Sequence, residues 1–147
     1  MEALRELSRR QIDALRAVQR NETPERGASL LAVARQLKIR PPSALDHLTV
    51  LEERGLIERR RGKSRLTPAG RTCLIDYLRH HRVAERLFQQ AGLSADETCQ
   101  AAREIDLALS HRLVTRIYRA EGSPLSCPHG GPIPRIGGRD RSRDRRA

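Results

Sequence analysis

The 147-residue chain contains no tryptophan, one phenylalanine and two tyrosines. Proteins that hold single-stranded nucleic acid stack bases on aromatic rings, so this scarcity argues against that mode of binding. No apolar run approaches the roughly 20 residues of a membrane-spanning helix, and the opening Met1-Glu2-Ala3-Leu4-Arg5-Glu6 is charged too early for a secretion signal. The three cysteines, Cys73, Cys99 and Cys127, are too far apart to suggest a disulfide framework. They are expected to stay reduced, as in a cytoplasmic protein. A glycine-rich phosphate loop, an HExxH pair and a recognisable Ser/His/Asp arrangement are all missing. An enzyme is the poorest reading.

Acidic residues are also in deficit. The 29 Lys and Arg outweigh 18 Asp and Glu, which leaves a formal charge of +11. Such a balance favours a polyanionic partner, and nucleic acid is the commonest. The tail from Arg135 to Ala147 supplies +4 of this and is expected to be disordered; the body keeps +7. Glu58–Arg65 concentrates five basic residues against one acid. A solvated surface is the ordinary explanation of a charge run, but here strand-like and turn-like residues bracket it.

Apolar spacing predicts a first helix over roughly Ala3–Arg20. Ser29 then reads as the N-cap of a short helix ending near Lys38. Pro41-Pro42 suits a helix start, which places the next helix from about Ser43 to Arg54, ended by Gly55. Two short strands follow around the basic turn. A short helix, a tight turn, a second helix and a hairpin make a winged helix-turn-helix. Thr67-Pro68 opens a long helix to about Ala91, and Ser94-Ala95-Asp96-Glu97 is a capping box for another that carries Ala101, Ile105, Ala108 and Leu109. Ser110 caps a further segment. The expected fold is mainly α: a winged helix-turn-helix of three helices and a two-stranded wing over residues 1–71, a helical domain over 72–134, and the tail over 135–147.

Spacing also brings together groups that bind metals. His81 and Glu85 are four apart on one helix face, and imidazole with carboxylate suits zinc, iron or manganese. Cys127 and His129 are two apart on a proline-stiffened turn. The neighbouring His80 is expected at the surface, His111 facing solvent, and Cys73 in the core.

Leu66-Thr67-Pro68-Ala69-Gly70-Arg71, His80-His81-Arg82-Val83-Ala84-Glu85-Arg86-Leu87 and Cys127-Pro128-His129-Gly130-Gly131-Pro132-Ile133-Pro134 together resemble the diphtheria toxin repressor family of metal-dependent transcription regulators. The first motif recurs in many winged-helix regulators; the other two are more specific. The resemblance covers about residues 5–134. It implies a homodimer reading a palindromic operator in double-stranded DNA, with a metal-binding and dimerisation domain after the winged helix. The SH3-like domain of some members is not expected in a chain this short. His81 and Glu85 match the family's ancillary metal site, and Cys99 falls where another of its ligands is found. Cys127 and His129 match metal-binding residues of some manganese sensors. The primary site's four positions hold Arg10, Arg103, Asp106 and Leu107. Only Asp106 can bind a metal there, and the arginines would repel one. Arg10 or Arg103 is instead expected to pair with Asp106 and replace the metal.

For DNA, Arg40, Pro42, Ser43, Asp46 and His47 lie at the start of the second helix of the helix-turn-helix, where side chains reach base edges. Asp46 can accept from a cytosine amino group or simply stabilise the helix N-terminus. Arg59, Arg60, Arg61, Lys63 and Arg65 are phosphate or minor-groove candidates. The expected function is that of a homodimeric DNA-binding regulator, a repressor in the first instance, responsive to a divalent transition metal. The competing expectation is a winged-helix regulator that binds DNA without metal, its Cys/His site structural or vestigial.

Overall fold

A computed structural model of the chain describes residues 2–136. All of the expected tail beyond residue 136 lies outside them. The chain divides into two compact units, Met1–Tyr77 and Leu78–Ala147.

The first unit contains α1 (Glu2–Arg5), α2 (Arg9–Asn21), β1 (Ala28–Ser29), α3 (Leu30–Leu37), α4 (Pro41–Glu53), β2 (Ile57–Arg60) and β3 (Lys63–Leu66), then the start of α5 (Pro68–Gln90). The single helix expected over residues 3–20 is broken. Ser8 Oγ accepts from the Gln11 amide at 3.3 Å, and the Gln11 side chain accepts from the Ser8 amide at 2.9 Å, a capping box that restarts the helix at Arg9. Leu4 and Leu7 stay buried on the other side of the break. Apolar periodicity therefore runs on through a change of helix and hides it.

Ile12, Leu15 and Val18 of α2, Val33 of α3 and Leu48 and Leu51 of α4 form the core of this unit, each at most 1% exposed. Burial of each such side chain contributes about 1.5–3 kcal/mol. Ser29 caps α3 by accepting from the Ala32 amide, and Lys38 ends it in the left-handed conformation. α4 starts two residues earlier than expected, at Pro41, because proline at the first helical position gives up an amide that would have no partner there. Gly55, with φ of 69°, follows its end. β2 and β3 pair in register from Ile57 with Leu66 to Arg60 with Lys63. The connecting Arg61-Gly62 has φ of 49° and 71°, the positive pair a two-residue type I′ hairpin requires.

The two-stranded wing forms as expected, and its sheet gains a third strand. β1 pairs with β3, Ala28 opposite Ser64 and Ser29 opposite Lys63. Gly27 allows the approach, since a Cβ there would sit 2.9 Å from both Lys63 Cβ and Ser64 O. A strand of two residues is too short to show alternation. Gly70, in the first turn of α5, is more tightly enclosed: a Cβ would lie 2.0 Å from the Leu56 carbonyl oxygen. That oxygen already accepts from the Thr67 amide at 3.1 Å, so the backbone cannot easily yield. Gly70→Ala is expected to destabilise this unit by about 2–4 kcal/mol. Urea denaturation checks it, and a change below about 0.5 kcal/mol would refute the close approach. Cys73 is buried, as expected, and burial together with the Asp76 carboxylate pushes its thiol up to about 11.

The second unit holds the rest of α5, then α6 (Ala95–Ile105), α7 (His111–Ala120) and a strap that runs on to residue 136. The Ser94–Glu97 capping box opens α6 and Ser110 caps α7, both as expected. α6 stops at Ile105, short of the Ala108 and Leu109 expected on it. Val83, Val114, Tyr118 and Ile133 make the core, with Leu109, Ile117 and Ile136 packed against it. The strap folds back on itself through the Cys127 amide to the Gly131 carbonyl, the Gly130 amide to the Cys127 carbonyl, and a Ser126–Pro132 bridge. No helix among the described residues is long and apolar enough to cross a membrane.

Candidate metal centre

α5 carries His81 and Glu85 one turn apart on a single face, with His81 Nε2 3.5 Å from Glu85 Oε1. The middle of α6 brings Cys99 Sγ to 3.7 Å from the same His81 nitrogen. On the strap, His129 Nδ1 lies 3.2 Å from the same Glu85 oxygen. Two triads result, His81–Glu85–Cys99 and Glu85–Cys127–His129, and within each the donor atoms all lie within 4.8 Å of one another. The structure thus brings His81, Glu85, Cys99, Cys127 and His129 to one place, with Glu85 common to both halves.

The donor set fits a metal. Four-coordinate zinc, with bonds of about 2.0–2.3 Å, spaces neighbouring ligand atoms roughly 3.3–3.8 Å apart, close to the separations found here. Glu85 is buried and His81 only 12% exposed at its side chain, so an ion here would be largely shielded from water. Two imidazoles, a carboxylate and two thiols favour zinc or ferrous iron over manganese, which prefers oxygen.

A carboxylate that spacing does not single out completes the arrangement. Asp106, fully buried just beyond α6, places Oδ2 2.8 Å from His81 Nδ1. This is the outer partner that a metal-binding histidine usually has; it holds the ring and leaves Nε2 free to ligate. The sequence suggests Arg10 or Arg103 as the partner of Asp106, and nothing in it links Asp106 to His81. The Asp106 main-chain oxygen lies 3.3 Å from His80 Nδ1. His80 is therefore buried, at 3% exposure, rather than at the surface. The reason is that α5 is covered on more than one side. His80 lies beside His111, ring centroids 5.9 Å apart. His111, expected to face solvent, is half-buried with its Nδ1 enclosed.

These contacts set the proton affinities. Burial opposes a charged His81, but hydrogen bonds with Asp106, Glu85 and Cys99 and the Glu85 charge outweigh it and push the pKa up to about 9. Burial would raise Glu85; bonds from His81 and Cys127 and the charges of His81 and His129 outweigh it and hold the carboxyl below its usual range. Burial, then the Glu85 carboxylate, raises the Cys127 thiol, while backbone amides of His129 and Gly131 work the other way. A metal binding here would have to displace these protons, so its affinity should rise with pH.

The residues expected to meet DNA lie on the first unit. Arg40 precedes α4 and is exposed, as are Pro42, Ser43 and Asp46 in its first turns, while His47 is half-buried. Arg59 is drawn to Glu52, 3.5 Å away, and Arg65 donates to the Thr23 carbonyl at 3.2 Å. Arg60 lies 3.7 Å from Glu58 with its side chain 84% exposed. Arg61 is exposed and Lys63 half-buried. Arg10 is exposed on α2, Arg103 is half-buried on α6, and Leu107 is half-buried after it.

Residues 67–135 match the family model described as the iron dependent repressor, metal binding and dimerisation domain. The iron-dependent repressor IdeR of Mycobacterium leprae is 29% identical over 104 residues, 69% of this chain and 45% of that protein. An uncharacterised HTH-type transcriptional regulator of Aeropyrum pernix is 29% identical over 107 residues, 72% of this chain and 59% of that one. The chain therefore spans about half the length of these curated relatives. Among solved structures, a hypothetical protein from Sulfolobus solfataricus superposes with a TM-score of 0.82 at 29% identity, over 88% of this chain and 100% of that one. A manganese-dependent transcriptional repressor in complex with manganese superposes at 0.73 with 29% identity, over 88% of this chain and 60% of that one.

Proposed function

We propose that this chain, whose residues 67–135 match the iron dependent repressor metal binding and dimerisation domain, is a member of the diphtheria toxin repressor-like family of metal-dependent regulators and a homodimeric DNA-binding transcription regulator governed by a divalent transition metal. His81, Glu85, Cys99, Cys127 and His129 hold the metal, zinc or iron in preference to manganese. The region 72–134 binds metal and dimerises, and the region 1–71 reads DNA. The convergence of four donor groups from α5, α6 and the strap on the one carboxylate of Glu85 carries the reading. The iron- and manganese-dependent relatives support it.

At the DNA, α4 enters the major groove, with Arg40, Pro42, Ser43, Asp46 and His47 at the base edges and the wing on the phosphates. Arg60, Arg61 and Lys63 project from the hairpin for that purpose, while Arg59 and Arg65 also brace the hairpin through Glu52 and Thr23. Arg61→Ala with Lys63→Ala is expected to weaken binding to every sequence and to flatten the salt dependence by roughly one unit of slope for each phosphate no longer neutralised. Ser43→Ala and Asp46→Ala are expected to alter sequence preference, at about 1–3 kcal/mol per base pair read. Binding to operator and random duplexes across a salt series checks both, and a wing variant that changed preference alone would reverse the assignment.

DNA affinity measured at fixed salt, with zinc, iron or manganese added and then removed by chelator, tests the regulatory reading. Metal is expected to raise affinity about tenfold or more. Equal affinity with and without metal would favour metal-independent binding.

A further inference from the structure

Three arginines of α5, three and four residues apart, all face the strap. Arg79 donates from Nε to the Pro134 carbonyl and from Nη2 to the Arg135 carbonyl, both at 2.9 Å. Arg82 Nη1 donates to the Pro132 carbonyl. Arg86 donates from Nη1 to the Ser126 carbonyl at 3.3 Å and from Nε to Glu121 Oε2 at 2.9 Å. These bonds bracket Cys127 and His129 on both sides. Gly131 lies flat between the second arginine and the sulfur, since a Cβ there would stand 3.1 Å from Arg82 Nε and 3.2 Å from Cys127 Sγ.

Carbonyl oxygens of an irregular segment ordinarily turn to water. Here guanidinium groups, which are always charged and offer a rigid fork of donors, hold several along one helix. Arg79 is 7% exposed, so its bonds are screened little by solvent. His81 and Glu85 project from the same helix, and Cys99 reaches them from α6 without the strap.

Resting on the metal-site reading above, we infer that Arg79, Arg82 and Arg86 are positioning residues that hold the strap in register, so that Cys127 and His129 complete a site whose other half, His81–Glu85–Cys99, forms without them. The arginine ladder thereby sets the sulfur content of the site, and with it the preference for thiophilic metals over manganese. Loosening it leaves one thiol, one imidazole and one carboxylate, a weaker and less selective set.

Cobalt(II) is the probe, because thiolate ligation gives it a charge-transfer absorption. Arg82→Gln, Arg79→Gln and the double variant are made in the wild-type chain and in a Cys127→Ser, His129→Ala background. In the wild-type chain each single change is expected to lower cobalt affinity about tenfold and to remove about half of the thiolate absorption. In the Cys127→Ser, His129→Ala background the same changes are expected to shift affinity less than twofold, because both ligands they position are already gone. A general structural role would lower affinity equally in both backgrounds and would overturn the inference, as would unchanged binding in the wild-type chain. Arg82→Lys, which keeps the charge and one donor, gives the same comparison in milder form if a glutamine variant does not fold. A wild-type chain that took up no cobalt would overturn the metal-site reading and this inference with it. Cobalt binding with equal losses would overturn the inference alone.

Discussion

Glu85→Gln is expected to lower affinity for zinc or iron by at least about 100-fold, since loss even of outer partners costs 10–100-fold and this residue is the proposed shared ligand. One of its oxygens faces His81 at 3.5 Å and His129 at 3.2 Å, and its carboxylate belongs to both triads. The amide keeps the shape and the burial, so the helix is preserved. It removes the only anionic oxygen donor among the five groups, leaving two imidazoles and two thiols that would have to gather round a cation without it. Competition against a chromophoric chelator measures the loss, and thermal unfolding of the metal-free variant confirms that the fold persists. Affinity within threefold of wild type would remove Glu85 from the site. If DNA binding is governed as proposed, the variant should also lose its response to metal while keeping its response to salt.

Asp106→Ala is expected to lower metal affinity by about 10–100-fold without removing a ligand. The carboxylate is fully buried and lies 2.8 Å from His81 Nδ1, so it fixes the ring with Nε2 directed at Glu85 and Cys99. Without it the ring can turn, and its basicity falls because the hydrogen bond that favours the charged form is gone. Asp106→Asn should fall between alanine and wild type, since its amide oxygen still accepts from Nδ1–H but lacks the charge. The same chelator competition ranks the three proteins. An alanine variant as tight as wild type would show that His81 is held by its helix and packing alone.

The contrast between these two residues marks the limit of sequence reasoning. Glu85 is four residues from His81, and helical geometry alone puts both on one face. Asp106 is 25 residues from His81, and the contact is made only because α6 turns back against α5. His80 illustrates the same point: a helix wheel separates it from His81 by about 100°, which suggests solvent on one side, yet α5 is covered there too. The arginine ladder is equally hidden. Arginines at 79, 82 and 86 read as a charged helix face, and only the fold of the strap puts carbonyls in front of them.

Elements with local causes are legible in the chain itself. Caps at Ser29, Ser94 and Ser110, a proline at each of two helix starts, the glycines after α4 and in the wing, and the basic hairpin all follow from interactions within a few residues. The five donor residues are marked there too, because imidazole, carboxylate and thiol carry their chemistry wherever they stand. Which of them meet, through which atoms, and what holds them there were settled by the folded arrangement. Those outcomes depend on contacts between residues 18 to 56 positions apart, on backbone approaches such as that of Gly27 to β3, and on burial. None of these leaves a periodic or local trace in the chain.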